Sequence, residues 1–361
     1  MNEKTVKLAV VGLRRGIHLG GAVSKDPNVK LVAVCDFNPE VLKEAHERLV
    51  RHDIQGVQCY DNYDEMLEKA DINAVFVCTY ASNHVSLVIK ALNAGMHVIS
   101  EIPTINTLEE ARELKAAVLA HPNQKYMAGE NCCFWAFVET WKHMYEEGKF
   151  GDIAYAEAEY LHCKDWREMK PEDYPKDHWR YDYPSIKYLS HSLGPLLYIM
   201  DDRCVSVSCM VPDVKYNPYR DSKKNGVALF KTAKGAVIRI LICNDAYVGF
   251  DHNFEMIGTR GTIQTDKNTP LERAHSFARL SDIPGTIEEQ IDIPIMLKYP
   301  GENAGGHGGA DTKMMRAFIR CIQEDTEPPI DVDLGIKMCL PGIIAHESSL
   351  QGGALLEIPE I

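Results

Sequence analysis

The residues best placed to do chemistry begin with a glycine turn and an acid. The apolar run Val6–Val11 is followed by Gly12-Leu13-Arg14-Arg15-Gly16, a helical stretch, and a second apolar run, Val29–Cys35, that ends at Asp36. Strand, glycine turn, helix, strand and acid is the order that holds a dinucleotide. Glycines let the backbone approach a pyrophosphate, and the helix N-terminus offers it unpaired N–H groups. An acid at the tip of the second strand accepts hydrogen bonds from both ribose hydroxyls and repels a 2′-phosphate, so the expected cofactor is NAD and not NADP. The G-x-G-x-x-G run is not intact, because Arg14 stands where a second glycine is expected.

Other residues invite a chemical and a structural reading side by side. Glu101 follows the apolar run His97–Ser100. It is either a turn acid or a ligand contact at the carboxyl end of a parallel strand, where such folds bind their ligands. Tyr188 and His191 are three residues apart, which places both on one face if the stretch is helical. His307 lies within Gly305-Gly306-His307-Gly308-Gly309. This loop either carries the histidine to a ligand or simply leads into a helix at Asp311. Trp166, Arg167, Trp179, Arg180, Tyr181 and Tyr183 suit a sugar, with aromatic faces on C–H surfaces and arginine donating to hydroxyls. An oligomer interface is enriched in the same residue types. His84 and Asn131 stand between cofactor contact and a helix-start or turn role, and His162 and His178 are unassigned. Cys132-Cys133 reads as packing.

The elements that must position these residues fall into two regions of a 361-residue chain. Up to about Gly129, apolar runs at Val6–Val11, Val29–Cys35, Ala74–Cys78, His97–Ser100 and Lys125–Ala128 alternate with amphipathic stretches at Glu40–His52, His84–Ala94 and Leu108–Ala120. That rhythm predicts a doubly wound parallel sheet covered on both faces. After Phe150-Gly151, strand-like runs follow one another at Ala154–Tyr160, Cys204–Val211, Val227–Phe230, Ala236–Cys243, Asn253–Ile257 and Gly261–Thr265. They predict an open, mainly antiparallel sheet, so the fold class is α/β plus α+β. Asp165–Lys187 reads as an irregular loop over a site, and Asp311–Gln323 as a helix capped by Asp311. The expected domains are residues 1–130, binding NAD, and residues 131–361, binding substrate and mediating oligomerisation, with C-terminal segments able to pack back on the first. An open sheet needs its second face covered, and a second copy of the chain is the expected cover.

Composition narrows the function classes. A formal charge of −13 argues against nucleic acid. No apolar stretch approaches the roughly 20 residues of a membrane span. Met1-Asn2-Glu3-Lys4 leads straight into a strand without an apolar leader, so a cytoplasmic location is expected. The 11 cysteines lack zinc spacing and read as thiols in a reducing compartment, with no metal site expected.

The residues described so far carry a resemblance. The glycine turn, the Glu101-Ile102-Pro103 corner and the open-sheet region resemble the Gfo/Idh/MocA oxidoreductases over essentially the whole chain. In most members that corner is Glu-Lys-Pro and the lysine transfers the proton. Here Ile102 replaces it. Glu130-Asn131-Cys132-Cys133-Phe134, Tyr188-Leu189-Ser190-His191 with Leu193-Gly194-Pro195, and Gly305-Gly306-His307-Gly308-Gly309-Ala310-Asp311 look like glycoside hydrolase family 109, the NAD-dependent α-N-acetylgalactosaminidases. The resemblance implies that Arg14 and Arg15 lie at the pyrophosphate turn and Asp36 at the adenosine ribose. It implies that Ser82, Asn83, His84 and Ile102 lie by the nicotinamide, and Glu101 and Asn131 by its ribose. Tyr160, Arg180, His307 and Glu101 then contact sugar, while Tyr188 and His191 are catalytic. A further family tyrosine falls near Phe250 or Tyr247, and Pro103 is expected to follow a cis peptide. The implied reaction oxidises sugar C3 with NAD, removes the acidified C2 proton, expels the C1 substituent, adds water and re-reduces C3. The alternatives are a sugar or polyol dehydrogenase with net redox change, and a non-catalytic NAD-binding regulatory protein.

Overall fold

The computed structural model describes residues 5–23, 26–163, 179–181, 183–214, 224–267, 275–294 and 306–361. The chain divides into two compact units, Met1–Glu130 with Asp311–Ile336 and Ile361, and Asn131–Ala310 with Lys337–Glu360.

In the first unit, strand and helix alternate. The strands are β1 (Val6–Val11), β2 (Val29–Cys35), β3 (Gln58–Tyr60), β4 (Ala74–Val77), β5 (His97–Glu101) and β6 (Tyr126–Gly129). The helices are α1 (Leu13–Val23), α2 (Pro39–Arg51), α3 (Tyr63–Lys69), α4 (His84–Asn93) and α5 (Leu108–Ala120). The sheet order is β3-β2-β1-β4-β5-β6 and every pair is parallel. The central strands read as unbroken apolar runs because helices cover both faces, and all of β4 is buried. Strand order reverses between β1 and β4, the switch point at which such sheets bind ligands. The β1–α1 turn there demands glycine. Gly12 has φ +86°, and a Cβ on it would strike the Cys78 carbonyl. A Cβ on Gly16 would lie 2.7 Å from Val10 Cγ1, so α1 seats directly on β1.

The second unit carries a nine-stranded sheet. Its strands are β7 (Ile153–His162), β8 (Cys204–Met210), β9 (Asn225–Thr232), β10 (Val237–Cys243), β11 (Phe250–Gly258), β12 (Gly261–Thr265), β13 (Ser276–Leu280), β14 (Ile291–Ile293) and β15 (Leu356–Glu357). The order is β14-β13-β12-β11-β7-β10-β9-β8-β15. Only β7–β10 pairs parallel, and the other pairs are antiparallel. Helices α6 (Ala136–Glu146) and α7 (Ser190–Met200) belong to this unit. Helix α8 (Ala310–Glu324) falls almost wholly in the first unit, and α9 (Val332–Leu350) mostly in the second. Period-two alternation buries Ile238, Ile240 and Ile242 of β10 with Ala156, Ala158 and Tyr160 of β7.

The fold class is the expected one, with local differences. Helix α8 starts at Ala310, so Asp311 sits in its first turn and is no cap; its carboxylate goes to Arg15. Strand β11 begins at Phe250, three residues before the expected Asn253. Of the expected loop Asp165–Lys187, residues 165–178 and 182 lie outside the described residues. The described remainder includes a 3₁₀ turn at Ser185–Tyr188. The Ile102–Pro103 peptide is cis.

Gly12→Ala adds a Cβ at a left-handed φ and against a backbone carbonyl. The expected cost is about 1–3 kcal/mol in the first unit, read as a fall in the denaturant midpoint. An unchanged midpoint would show the turn to be tolerant.

Candidate active site

In the first unit the expected cofactor residues gather at the carboxyl ends of β1, β2, β4 and β5. Asp36 is buried. Its Oδ2 accepts the Leu13 N–H at 2.9 Å and its Oδ1 the Asn38 N–H at 3.0 Å. Each carboxylate oxygen keeps further lone pairs for a ribose hydroxyl. The acid thereby braces the turn that begins α1. Arg14 is exposed, and no ion pair to it is present among the described residues. Arg15 instead donates from Nε to Glu101 Oε1 at 2.6 Å and from Nη2 to Asp311 Oδ1 at 3.1 Å. Burial opposes its charge, but the two carboxylates outweigh that and raise its pKa. The second Glu101 oxygen accepts the Ile102 N–H at 3.2 Å. The Ile102 side chain is only 4% exposed.

Ser82 and Asn83 are exposed in a 3₁₀ turn before α4, with Ser82 Oγ donating to Asn83 Oδ1 at 3.4 Å. His84 differs from its expected cofactor contact. Its ring is buried, with Nδ1 3.0 Å from the Pro103 carbonyl and Nε2 3.1 Å from the Thr79 carbonyl. Both nitrogens are engaged by backbone, so His84 ties the Ile102–Pro103 corner to the chain after β4. Burial lowers its pKa, against the two carbonyl contacts. NAD fits this unit on two structural grounds. Position 12 favours glycine, with φ +86° and a Cβ clash against the Cys78 carbonyl, and Asp36 follows β2 beside the first N–H groups of α1.

In the second unit a separate cluster forms around Tyr160. This side chain of β7 faces His252 across the β11 pairing, with ring centroids 4.6 Å apart. His162 and His191 lie 5.4 and 5.5 Å from the Tyr160 ring, and Tyr188 lies 6.4 Å away. Tyr188 ends the 3₁₀ turn and His191 lies in the first turn of α7, with rings 5.1 Å apart at 84°. Arg180 Nη2 donates to the Tyr188 hydroxyl at 3.3 Å, and its guanidinium sits over the Trp179 and Tyr188 rings at 4.8 and 5.0 Å. A cation on that oxygen stabilises negative charge as the phenol shares its proton. Lys224 Nζ donates to the carbonyls of Arg180 at 3.0 Å and Tyr183 at 2.8 Å, which steadies the segment.

The structure therefore brings Tyr160, Arg180, Tyr188 and His191 together. Asn131 joins through Cys132, whose Sγ is 3.6 Å from Asn131 Oδ1 and 3.1 Å from His191 Nδ1. The thiol fixes the plane of the His191 ring, so Cys132 does more than the packing expected of it. His307 is exposed and left-handed, with φ 50°. Its carbonyl accepts from Trp135 Nε1 at 3.1 Å, and the Trp135 ring stands edge-on to His252 at 5.1 Å. Phe250 borders the cluster through His162 at 4.8 Å, although it is 61% exposed; Tyr247 is 80% exposed. Trp166, Arg167 and His178 lie outside the described residues.

Trp135 and His252 escape the sequence reading, which also leaves the contact of Cys132 with His191 unseen. A strand started at Phe250 places His252 on the same face as Phe254 and Met256, and that parity is the missing signal. His252 is 4% exposed, and its Nδ1 has no hydrogen-bond partner among the described residues. Burial, together with His191, His162 and His307, pushes its pKa well below the usual histidine value.

Comparison with known proteins adds the following. Residues 6–129 match "Oxidoreductase family, NAD-binding Rossmann fold", residues 138–264 the "GFO/IDH/MocA C-terminal domain", and residues 222–361 "Glycosyl hydrolase 109, C-terminal domain". The chain is 26% identical over 406 residues to a glycosyl hydrolase family 109 protein of Porphyromonas gingivalis, covering 99% of this chain and 84% of that one. It is 28% identical over 397 residues to one of Solibacter usitatus, covering 99% and 88%. Among solved structures it is similar to a scyllo-inositol dehydrogenase from Lactobacillus casei with bound NAD(H) and scyllo-inositol. The TM-score is 0.78 and the identity 21%, with 98% of this chain and 99% of that one covered.

The suppressed basicity of His252 has a sign. In the unfolded chain the ring protonates near its ordinary pKa of about 6.5, while in the folded chain it stays neutral to lower pH. Below about pH 6.5 the unfolded state therefore binds more protons, and stability falls as pH falls, by at most about 1.4 kcal/mol per pH unit from this group. His252→Phe is expected to flatten the acid side of a plot of thermal midpoint against pH. An unchanged slope would mean that His252 does not contribute to it.

Proposed function

The chain belongs to the GFO/IDH/MocA oxidoreductase family and is an NAD-dependent, carbohydrate-active enzyme, and from that premise we propose that it cleaves a glycosidic bond through transient oxidation at sugar C3. The observation that carries this reading is the Tyr188–His191 pair, set among Tyr160, His252 and Arg180, in a chain whose corner residue 102 is an isoleucine. Ile102 has no proton to exchange, so the proton work falls to the second unit.

Bound NAD supplies the two-electron oxidation at C3 and its reversal. Gly12, Arg14 and Gly16 receive the pyrophosphate, and Asp36 the adenosine ribose. Ser82 and Asn83 line the nicotinamide side with Ile102, and Glu101 and Asn131 serve its ribose. Arg15 orients Glu101, and His84 steadies the corner behind it. Tyr188, as the phenolate that the Arg180 donor stabilises, would take up the C3 hydroxyl proton and become the neutral phenol. His191, its ring plane held by Cys132, removes the C2 proton that the C3 ketone makes acidic. A histidine suits this step because its ordinary pKa lies near working pH. The C1 substituent leaves, water adds, and C3 is reduced again. Arg180, Tyr160 and His307 bind sugar hydroxyls and faces.

The test is turnover of aryl and natural glycosides in deuterium oxide. The released sugar is expected to carry deuterium at C2 without accumulation of NADH. His191→Ala should lower kcat by about 10²–10⁴, and NAD binding should persist. Unlabelled C2 removes the elimination route, and NADH formed in proportion to substrate replaces it with a net dehydrogenase.

The reading extends to assembly and location. On the open face of the sheet, Leu229, Arg239, Glu157 and Glu255 form one cross-strand row, and Val227, Leu241, Glu159 and Asn253 the next. Val227 is 39% and Leu229 50% exposed, beside a charge network of Arg239 with Glu157 and Glu159, each at 2.9 Å. Apolar groups around paired charges suit a second copy of the same face, as in a homodimer or tetramer. Among the described residues no cysteine is in a disulfide, which suits a reducing cytoplasm. No described helix is long and apolar enough to cross a membrane. Sedimentation is expected to give an oligomer that Leu229→Arg dissociates; a monomeric wild type removes the assembly.

A further inference from the structure

Strands β7 and β10 run parallel, with Leu161 opposite Cys243. Cys163 stands one residue past the end of β7, and Cys243 is the last residue of β10. The Cys163 sulfur is 3.2 Å from the Cys243 carbonyl and 3.9 Å from the Cys243 sulfur. A disulfide bond is about 2.05 Å, so the sulfurs have to close about half their separation. Both residues are only half-buried, and a small oxidant reaches such sites. Most of the other cysteines, including Cys35, Cys132, Cys133, Cys204, Cys209, Cys321 and Cys339, are buried.

We propose that Cys163 and Cys243 are a redox pair that a hydroperoxide converts reversibly into a disulfide. The Cys243 thiolate attacks one peroxide oxygen, the O–O bond breaks, and hydroxide leaves; Cys243 becomes a sulfenic acid. The Cys163 sulfur then attacks the Cys243 sulfur, the S–O bond breaks, and the Cys163 proton departs with the oxygen as water. Two thiols are oxidised, one peroxide is reduced, and a thiol reductant reverses the change.

The division of roles follows from the local donors. Donation from Cys163, joined by the Asp245 backbone N–H, holds the Cys243 thiol down to about 7 against its partial burial. A thiolate is then present at neutral pH, as an attacking cysteine requires. The same contact raises the Cys163 pKa and keeps that thiol protonated as the resolving partner.

The pair borders the second-unit cluster. His162, whose ring is 5.4 Å from Tyr160, immediately precedes Cys163. Asn244, immediately after Cys243, donates from Nδ2 to Ser185 Oγ at 3.0 Å, within the turn that ends at Tyr188. A bond between the sulfurs therefore fastens two strand ends that support the proposed sugar-binding residues.

The experiment is peptide mapping of the full-length protein under non-reducing conditions after hydrogen peroxide. The expected product is one linked peptide pair containing Cys163 and Cys243, lighter by about 2 Da for the two hydrogens lost and restored by dithiothreitol. Cys163→Ser should leave a sulfenic acid on Cys243 that dimedone traps, and Cys243→Ser should give far less trapping on Cys163. Absence of the linked pair in the wild-type protein overturns the proposal, without recourse to a variant. Equal trapping at the two positions overturns the assigned roles.

Discussion

The register between β7 and β11 is the constraint on which the second-unit cluster depends. Tyr160 stands opposite His252, Ala158 opposite Phe254, and Ala156 opposite Met256. A slip of β7 by one residue would send Tyr160, Ala158 and Ala156 to the open face and bring Glu157 and Glu159 inside. Both faces oppose the slip. Inside, the Thr265 hydroxyl accepts the Phe254 N–H at 3.0 Å, and Phe254 packs near Phe137 and Trp135. Outside, Asn253 donates to Glu159 at 3.0 Å while Arg239 ties Glu159 to Glu157. Gly258 closes the strand because a Cβ there would strike the Phe150 carbonyl. The aromatic interior and the charged exterior thus specify the same pairing.

The first unit is organised by charge. Arg15 has two carboxylate partners, Glu101 and Asp311, whose side chains are each about 10% exposed. Removing Arg15 would leave two acids close together with their countercharge gone, the costly case for partly buried ion pairs. Its guanidinium is already neutralised by protein groups, whereas Arg14, on the first turn of α1, is exposed. Ile102 fits the same arrangement. A lysine at this buried position would compete with Arg15 for Glu101, whereas isoleucine leaves that carboxylate to Arg15 and to the Ile102 N–H.

Local pattern carries most of the fold. Apolar runs six or seven residues long, such as β1 and β2, are bounded by glycine and acid and read directly. Three-residue β3 and β14 offer too little pattern for periodicity to register. Helices α7 and α9 are hydrophobic around much of their circumference and contain Pro195 and Pro341, so the amphipathic stripe that marks α2 is weak in them. The site residues divide in the same way. Gly12 and Asp36 lie within one strand–turn–helix–strand unit and are legible from spacing. Asp311 reaches Arg15 across 296 positions, and Cys132 reaches His191 across 59. No local rule predicts either contact. His252 escapes because β11 begins at Phe250, three residues before its apolar run becomes regular at Asn253.

The proton inventory of the second unit bears on which chemistry the cluster favours. A conventional glycosidase sets two carboxyl groups across the scissile bond. The acids of β7 nearest Tyr160, Glu157 and Glu159, alternate to the opposite face and are held there by Arg239, so they cannot flank a ligand resting on Tyr160. Among the described residues, the rings around Tyr160 are His162, His191, His252 and Tyr188, with Arg180 as the cation on the Tyr188 phenol. Each ring that stays neutral lowers the cost of any charge that develops at its neighbour. Burial pushes the His252 pKa well below the usual histidine value, which keeps one positive charge away from the neighbouring rings. Imidazole and phenol groups around a tyrosine suit a reaction that moves protons from carbon and oxygen better than one that protonates a leaving group against a carboxylate nucleophile.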